Sequence, residues 1–335
     1  MDHDSLGTPV YPEASTPLVD RPKMSETFFS TRDFVEAWSR SFGHKCHPLA
    51  IPVRGSGPPR TMYAIQTSSA YGQRHISLAP NGLYASPGWD GQLERSTLDG
   101  ILHSLTGFRT RGFIWNVRFD HEPLAAGLAS LGLGFQRTST QVVDLSKDYE
   151  RVFAGFSATI RNQIRSARRR RVMVRETVDP ADIFAYYQVH MRLAQQKGWR
   201  FVHPVELFLE LVKLPNTVRF LVAEFEGRLL GAGLFVRDGC SVTSMQATTD
   251  RDYSRYYPDR VVYDEAIRWA CESGAAFFNL GGSLGSTSLE QFKSLWGARS
   301  VLNWMFEWYN PLWAPVSHLK VAARRSLNAF RRHQI

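Results

Sequence analysis

The chain has 335 residues, 43% of them hydrophobic, and a formal net charge of +9. That much apolar material builds substantial cores, over a length that suits two domains better than one, and it excludes a disordered chain. Cys46, Cys240 and Cys271 are odd in number, widely spaced and without a CxxC pair, which excludes a disulfide framework and a zinc site and fits a reducing compartment.

The opening MDHDSLGTPVYPEASTPLVDRP is acidic and proline-rich, without the basic-then-apolar order of a signal peptide. Residues 1–26 are therefore expected to be a flexible tail. No later apolar run reaches the roughly 20 residues that span a bilayer. In the first half, strands are expected near 48–54, 60–68 and 74–80, a helix near 94–106, the strand FIWNV, a helix at 121–131 and the strand FQRTSTQVVDL. In the second half, VRFLVAEFEGRLLGAGLFVRDGCSVTSMQATT reads as three strands turning at Glu226-Gly227 and Asp238-Gly239. The segment DRVVYDEAIRWACESG follows with Val262, Ala266, Trp269 and Ala270 on one helical face and Gly274 as its stop. Then come a buried strand AFFNL, a helix TSLEQFKSLWG and a strand SVLNWMFEWY.

The two halves share this order, and one offset aligns them: Asn116 with Asn279 and Gly134 with Gly297 are both 163 residues apart. The chain thus reads as two copies of one mixed α/β unit.

Charge is concentrated in two places. Eight arginines and no acid lie between Arg151 and Arg175, and four arginines and a lysine, again without an acid, lie between Leu319 and Ile335. A helix over 157–171 buries Ile160, Ile164 and Ala167 and presents Arg161, Arg165, Arg168 and Arg169 outward, a face that suits a phosphate backbone or an anionic substrate and equally reads as a solvated linker helix. The segment LKVAARRSLNAFRRHQI is an amphipathic basic helix that lies on an anionic membrane or packs on the protein body.

A meander followed by helix, strand, helix and strand is the order of the GNAT acyltransferase superfamily. TIRNQIRSARRRRVMV resembles the start of the second domain of Fem-type aminoacyltransferases at Arg161, Ile164, Arg165, Ala167 and Val172, departing at Thr159 where that family has a basic residue. FFNLGG followed by LEQFKSLWGA is similar to the same family's downstream signature, filled by Phe292, Lys293, Trp296 and Gly297. FFSTRDFVEAWSRSFG resembles the first helix of CelD-like acetyltransferase-domain proteins. The resemblance covers about residues 27–308.

It implies two tandem GNAT-like domains, each a mostly antiparallel twisted sheet flanked by helices: 27–146, supporting and on the acceptor side, and 147–311, catalytic, with 312–335 as the basic helix. It implies amide formation on an amine, with no metal, no tightly bound cofactor, and aminoacyl-tRNA or acyl-CoA as co-substrate. In the Fem family the residues matching Phe292 and Lys293 meet the end of the aminoacyl-tRNA, so Lys293 is expected to steady the developing oxyanion or handle charge at the leaving ribose. The repeat places Ser130 opposite Lys293, which assigns the chemistry to the second half.

Such folds seat the donor's phosphates where TTDRDYSRYYPDRVVYDE lies. No glycine occurs between Gly239 and Gly274, so the glycine turn that closes on a CoA pyrophosphate is missing. Arg255 and Arg260, with Tyr256 beside them, are donor-binding candidates, or solvated surface charges. His190, His203, Asp250 and Asp252 are weaker candidates for a base. The sequence reading is aminoacyl transfer from tRNA to a cell-envelope or secondary-metabolite precursor, by a cytoplasmic protein in peripheral contact with the membrane where its anionic acceptor is lipid-linked. Two alternatives are acyl transfer from CoA or a carrier protein to an amino sugar of exopolysaccharide synthesis, and an inactive duplicate that binds RNA or membrane.

Overall fold

A computed structural model describes residues 24–313 apart from 52–59, 70–71, 81, 90–93, 146–147, 200 and 284. The expected tail is outside the described residues up to 23, as is the expected C-terminal helix from 314 onward.

The first repeat runs β1 (Met24–Glu26), α1 (Arg32–Phe42), β2 (Lys45–Ile51), β3 (Arg60–Ser68), β4 (Arg74–Leu78), β5 (Pro87–Trp89), α2 (Arg95–Leu105), β6 (Thr110–Val117), α3 (Glu122–Ser130) and β7 (Phe135–Asp144). The second runs α4 (Tyr149–Gly155), α5 (Ala158–Arg169), β8 (Met173–Glu176), α6 (Pro180–Lys197), α7 (Val205–Leu211), β9 (Val218–Phe225), β10 (Arg228–Asp238), β11 (Ser241–Thr249), α8 (Pro258–Glu272), β12 (Phe277–Asn279), α9 (Thr287–Ser294) and β13 (Arg299–Tyr309). Met24–Glu26, assigned to the tail from sequence, form a strand on β5; three residues are too few to show a period.

Apolar periodicity places the helices. Ile160, Ile164 and Ala167 are fully buried along α5, as are Ala266 and Ala270 along α8. Ser157 caps α5 by accepting from the Ile160 amide at 3.2 Å, and Asp148 caps α4 through the Arg151 amide at 3.0 Å.

One sheet of 11 strands, in the order β2-β3-β4-β6-β13-β7-β12-β11-β10-β9-β8, carries both repeats. It is antiparallel except where β4 meets β6 and β11 meets β12. The last strands are exchanged: β7, from the first repeat, pairs with β12, and β13, from the second, pairs with β6. The repeats therefore do not close their sheets separately.

A buried ionic cluster joins them again. Arg118, 1% exposed, just after β6, forms a fork with Asp120 at 2.6 and 3.0 Å and reaches Asp238 at the β10–β11 turn at 2.7 Å. The other oxygen of Asp238 accepts the Phe28 amide at 2.7 Å, so three distant segments meet on one arginine.

Candidate active site

Parallel pairing of β11 with β12 covers only Ser241–Thr243 against Phe277–Asn279, after which β11 runs on to Thr249 while the other chain turns away at Gly281. Gly281 has φ +77°, in the left-handed region that favours glycine, and at Gly282 a Cβ would come within 3.0 Å of the Ser139 carbonyl oxygen. The Asn279 side-chain oxygen accepts from the Gly281 amide and the Thr140 hydroxyl, both at 2.8 Å, which locks this turn against β7.

In the first repeat β4 stays paired with β6 to its end at Leu78, and the place beyond it, where a parting would open, is filled by the chain itself. The Ala85 amide donates to the Asn116 carbonyl at 2.9 Å, the Trp115 indole N–H donates to the Ala85 carbonyl at 2.9 Å, and Thr27 and Ser30 hold Ser86 from behind. Among the described residues no backbone hydrogen bond fills the second parting in this way.

Lys293 packs on the turn at which the chain leaves β12. It is 4% exposed, and its ammonium donates to the carbonyls of Gly281 at 2.7 Å and Gly282 at 2.9 Å and to Gln141 Oε1 at 3.4 Å. All three acceptors are neutral, so burial is not offset by a hydrogen-bonded carboxylate and pushes the amine down to about 8, with the charge of Glu290 on the same helix opposing. A cation of this kind can stabilise an oxyanion or transfer a proton near neutral pH.

Phe292, next to it, is half-buried. Its ring meets Tyr263 and Trp296 at 6.1 and 6.3 Å between centroids, and the Arg260 guanidinium lies 4.6 Å over its face. Arg260 also donates to Gln163 on α5 at 2.7 Å and pairs with Asp259, which makes it a bridge between α8, α5 and the Phe292 ring. Arg255 and Tyr256 lie on the 3-10 turn before α8: Arg255 is exposed over the Tyr256 ring at 5.1 Å, and Tyr256 packs on Phe225 at 5.0 Å. The left-handed position at the start of α8 is Tyr257, φ 57°, where a bulky residue is strained.

The arginine helix is less uniform than its sequence. Arg161 turns back onto the Ala154 and Phe156 carbonyls, and Arg168 pairs with the fully buried carboxylate of Asp264, which also accepts from Tyr149. Arg165 lies exposed over Phe153 at 5.7 Å, and Arg169 is exposed. Arg170, from the same run, donates to the Arg255 carbonyl, so α5 and the turn before α8 form one basic ridge.

The other candidates have structural settings. His190 is 1% exposed, bonds Thr248 through Nδ1 at 2.9 Å, and is pushed down to about 4 by burial; His203 shares that direction and value for the same reason. Asp250 caps the turn at Asp252 and pairs with Arg192 at 3.1 Å. Among the described residues no cluster of His, Cys, Asp or Glu could hold a metal, and no helix is long and apolar enough to cross a membrane. Gln141 and Asn279 escaped the sequence reading as site residues; for Asn279 the signal was a polar side chain inside the otherwise apolar strand FFNL, while Gln141 is one of many polar residues in β7.

Residues 154–294 match the family model of the acetyltransferase (GNAT) domain. The UDP-N-acetylmuramoylpentapeptide-lysine N(6)-alanyltransferase of Weissella viridescens is 26% identical over 159 residues, 46% of this chain and 46% of the relative, so the match spans about half of that curated protein. The crystal structure of FemX superposes with a TM-score of 0.69 at 12% identity, covering 87% of this chain and 94% of its own. The C-terminal domain of a putative lysylphosphatidylglycerol synthetase from Agrobacterium fabrum follows at 0.55 and 13%, covering 88% and 91%. The family match thus lies within the second half, over residues 154–294, and the whole two-repeat architecture has the fold of FemX.

Proposed function

We propose that the protein is an aminoacyltransferase that forms an amide on an amine acceptor, with aminoacyl-tRNA as donor. The observation that carries this reading is Lys293, a buried ammonium held by neutral carbonyls of the turn at which the chain leaves β12. In the reaction the neutral acceptor amine attacks the ester carbonyl of the donor, a C–N bond forms and the C–O bond to the terminal ribose breaks. The amine proton leaves on the ribose oxygen. Lys293 stabilises the tetrahedral oxyanion or supplies charge at that oxygen, and Phe292 with Arg260 borders the donor's path.

The basic ridge of Arg165, Arg169, Arg170 and Arg255 supports an RNA donor. The curated relative's name describes alanyl transfer to a lysine of an anionic cell-wall precursor, and the lysylphosphatidylglycerol synthetase neighbour points toward a lipid acceptor. An anionic or lipid-linked amine, met at the inner face of the membrane by a cytoplasmic protein, fits both. A second reading, acyl-CoA or acyl carrier protein as donor to an amino sugar, draws on the match to the acetyltransferase family model. The strained Tyr257 in place of a glycine turn weighs against a CoA pyrophosphate seat. An inactive duplicate is disfavoured, since a buried, carboxylate-free lysine is costly to keep without use.

The deciding experiment gives the purified protein radiolabelled bulk aminoacyl-tRNA or acetyl-CoA with a panel of amine acceptors. Label transferred from tRNA supports the reading; transfer from acetyl-CoA alone moves it to the second.

A further inference from the structure

The strand exchange delivers a first-repeat residue into the second-repeat site. Gln141, on β7, has its backbone N–H on the Gly281 carbonyl at 3.2 Å and its carbonyl on the Leu280 amide at 2.9 Å. Its buried carboxamide oxygen accepts from Ser283 at 2.9 Å and from Lys293 at 3.4 Å.

An ammonium has three N–H donors, and each of those of Lys293 has a protein acceptor. To reach a reacting oxygen, one must be released. The two backbone carbonyls bind closer, at 2.7 and 2.9 Å, and belong to a turn locked by Asn279. The Gln141 bond is the longest, and its oxygen keeps the Ser283 hydroxyl when Lys293 leaves.

We infer that Gln141 is a positioning residue for Lys293, holding the ammonium over the glycine turn and giving it up to an oxygen of the acyl donor. The inference rests on the role of Lys293 proposed above. The groups facing the ammonium are Gln141 from β7, the carbonyls and Ser283 of the turn, and Glu290 on α9, with Arg260 of α8 reaching Phe292 beside it.

The test follows the titration of Lys293 by carbon-13 NMR of labelled lysine in the full chain, assigned by its loss in Lys293→Met, together with single-turnover rates against pH. Gln141→Glu places a negative charge beside the ammonium and is expected to move both the titration and the alkaline limb of the rate upward by about 1 to 3 pH units. Gln141→Leu removes the acceptor and is expected to move both downward. A merely structural glutamine would change the melting temperature and leave the titration in place; an unmoved titration in folded Gln141→Glu overturns the inference. If neither variant folds, Ser283→Ala, which removes the competing donor from Gln141, is expected to raise the titration, and no movement there overturns the inference instead. Wild-type turnover in Lys293→Met would remove the role of Lys293, whereas an inactive Lys293→Met with an unmoved titration in Gln141→Glu removes only that of Gln141.

Discussion

Ser139 and Leu302 stand opposite one another across β7 and β13, and they are 163 residues apart, the same offset that takes Asn116 to Asn279. The register obeys it throughout the middle of the sheet: Trp115 faces Phe306, and Phe278 faces Val143. The Ser139–Leu302 pair thus marks a local twofold axis of the duplication. The axis relates backbones and not chemistry, because Lys293 maps onto Ser130, whose hydroxyl only donates to the Gly127 carbonyl of its own helix at 2.7 Å.

That asymmetry makes a paired prediction. Lys293→Met should slow single turnover by roughly 100- to 1000-fold, the loss expected for one oxyanion-type donor, while the melting temperature stays within a few degrees. Ser130→Ala should change neither quantity. A lysine variant within about threefold of wild type, or a large loss from the serine variant, would reverse the division of labour between the repeats.

Ala85 and Ser86 occupy the place where a parting would open in the first repeat, so one chain should bind one donor. Isothermal titration with a nonhydrolysable aminoacyl-tRNA analogue is expected to give a single site, lost neither in Ser130→Ala nor in variants of the first repeat's surface. Two equivalent sites would show that Ala85 yields its place.

Burial sets the pH behaviour. The cationic form of Lys293 is lost as pH rises through about 8, so turnover should fall there. Folding stability should move the other way: between about 8 and the ordinary lysine value of 10.5 the unfolded chain binds the extra proton, so this residue's contribution to stability increases with pH. Rate and urea-melt profiles over the same range should therefore diverge, and Lys293→Met should flatten the stability rise.

Substitutions in the arginine helix should separate into two classes. Arg165→Gln and Arg169→Gln are expected to reduce the salt dependence of tRNA binding by about 0.7 to 0.9 each without changing stability. Arg168→Gln removes the guanidinium from the buried Asp264 carboxylate, which keeps only the Tyr149 hydroxyl, and should lower stability by about 1 to 2 kcal/mol, measured by chemical denaturation. Equal effects of all three on tRNA binding, with none on stability, would mean that Asp264 does not need its partner.

Much of this could be read in advance where a pattern is long. Helix α8 shows four turns of apolar spacing, and the meander β9–β11 is punctuated by Glu226-Gly227 and Asp238-Gly239, both with positive φ at the glycine. The repeat offset carried the starts of α2 and α3 onto those of α8 and α9 within two residues. The exchange of β7 and β13 was not legible, because the pairing partner of a strand is a long-range property that its own alternation does not encode. For the same reason Gln141 read as an ordinary polar residue in a strand: nothing local indicates that a lysine 152 positions later will donate to it. Arg168 read as a surface charge because Asp264, on the buried side of α8, is likewise distant in sequence.

The crossed strands bear on how the molecule folds and is inherited. A chain cut between its repeats would give two fragments, each missing an interior strand and each carrying the strand that the other lacks. Such fragments are expected to complement one another when mixed and to aggregate when alone, since each would present bare strand edges. Two copies of a single repeat could meet the same condition by swapping their last strands, so the tandem chain has the connectivity of a swapped dimer made covalent. It follows that a mutation in β7 is felt first in the other half's candidate site, where Gln141 meets Lys293.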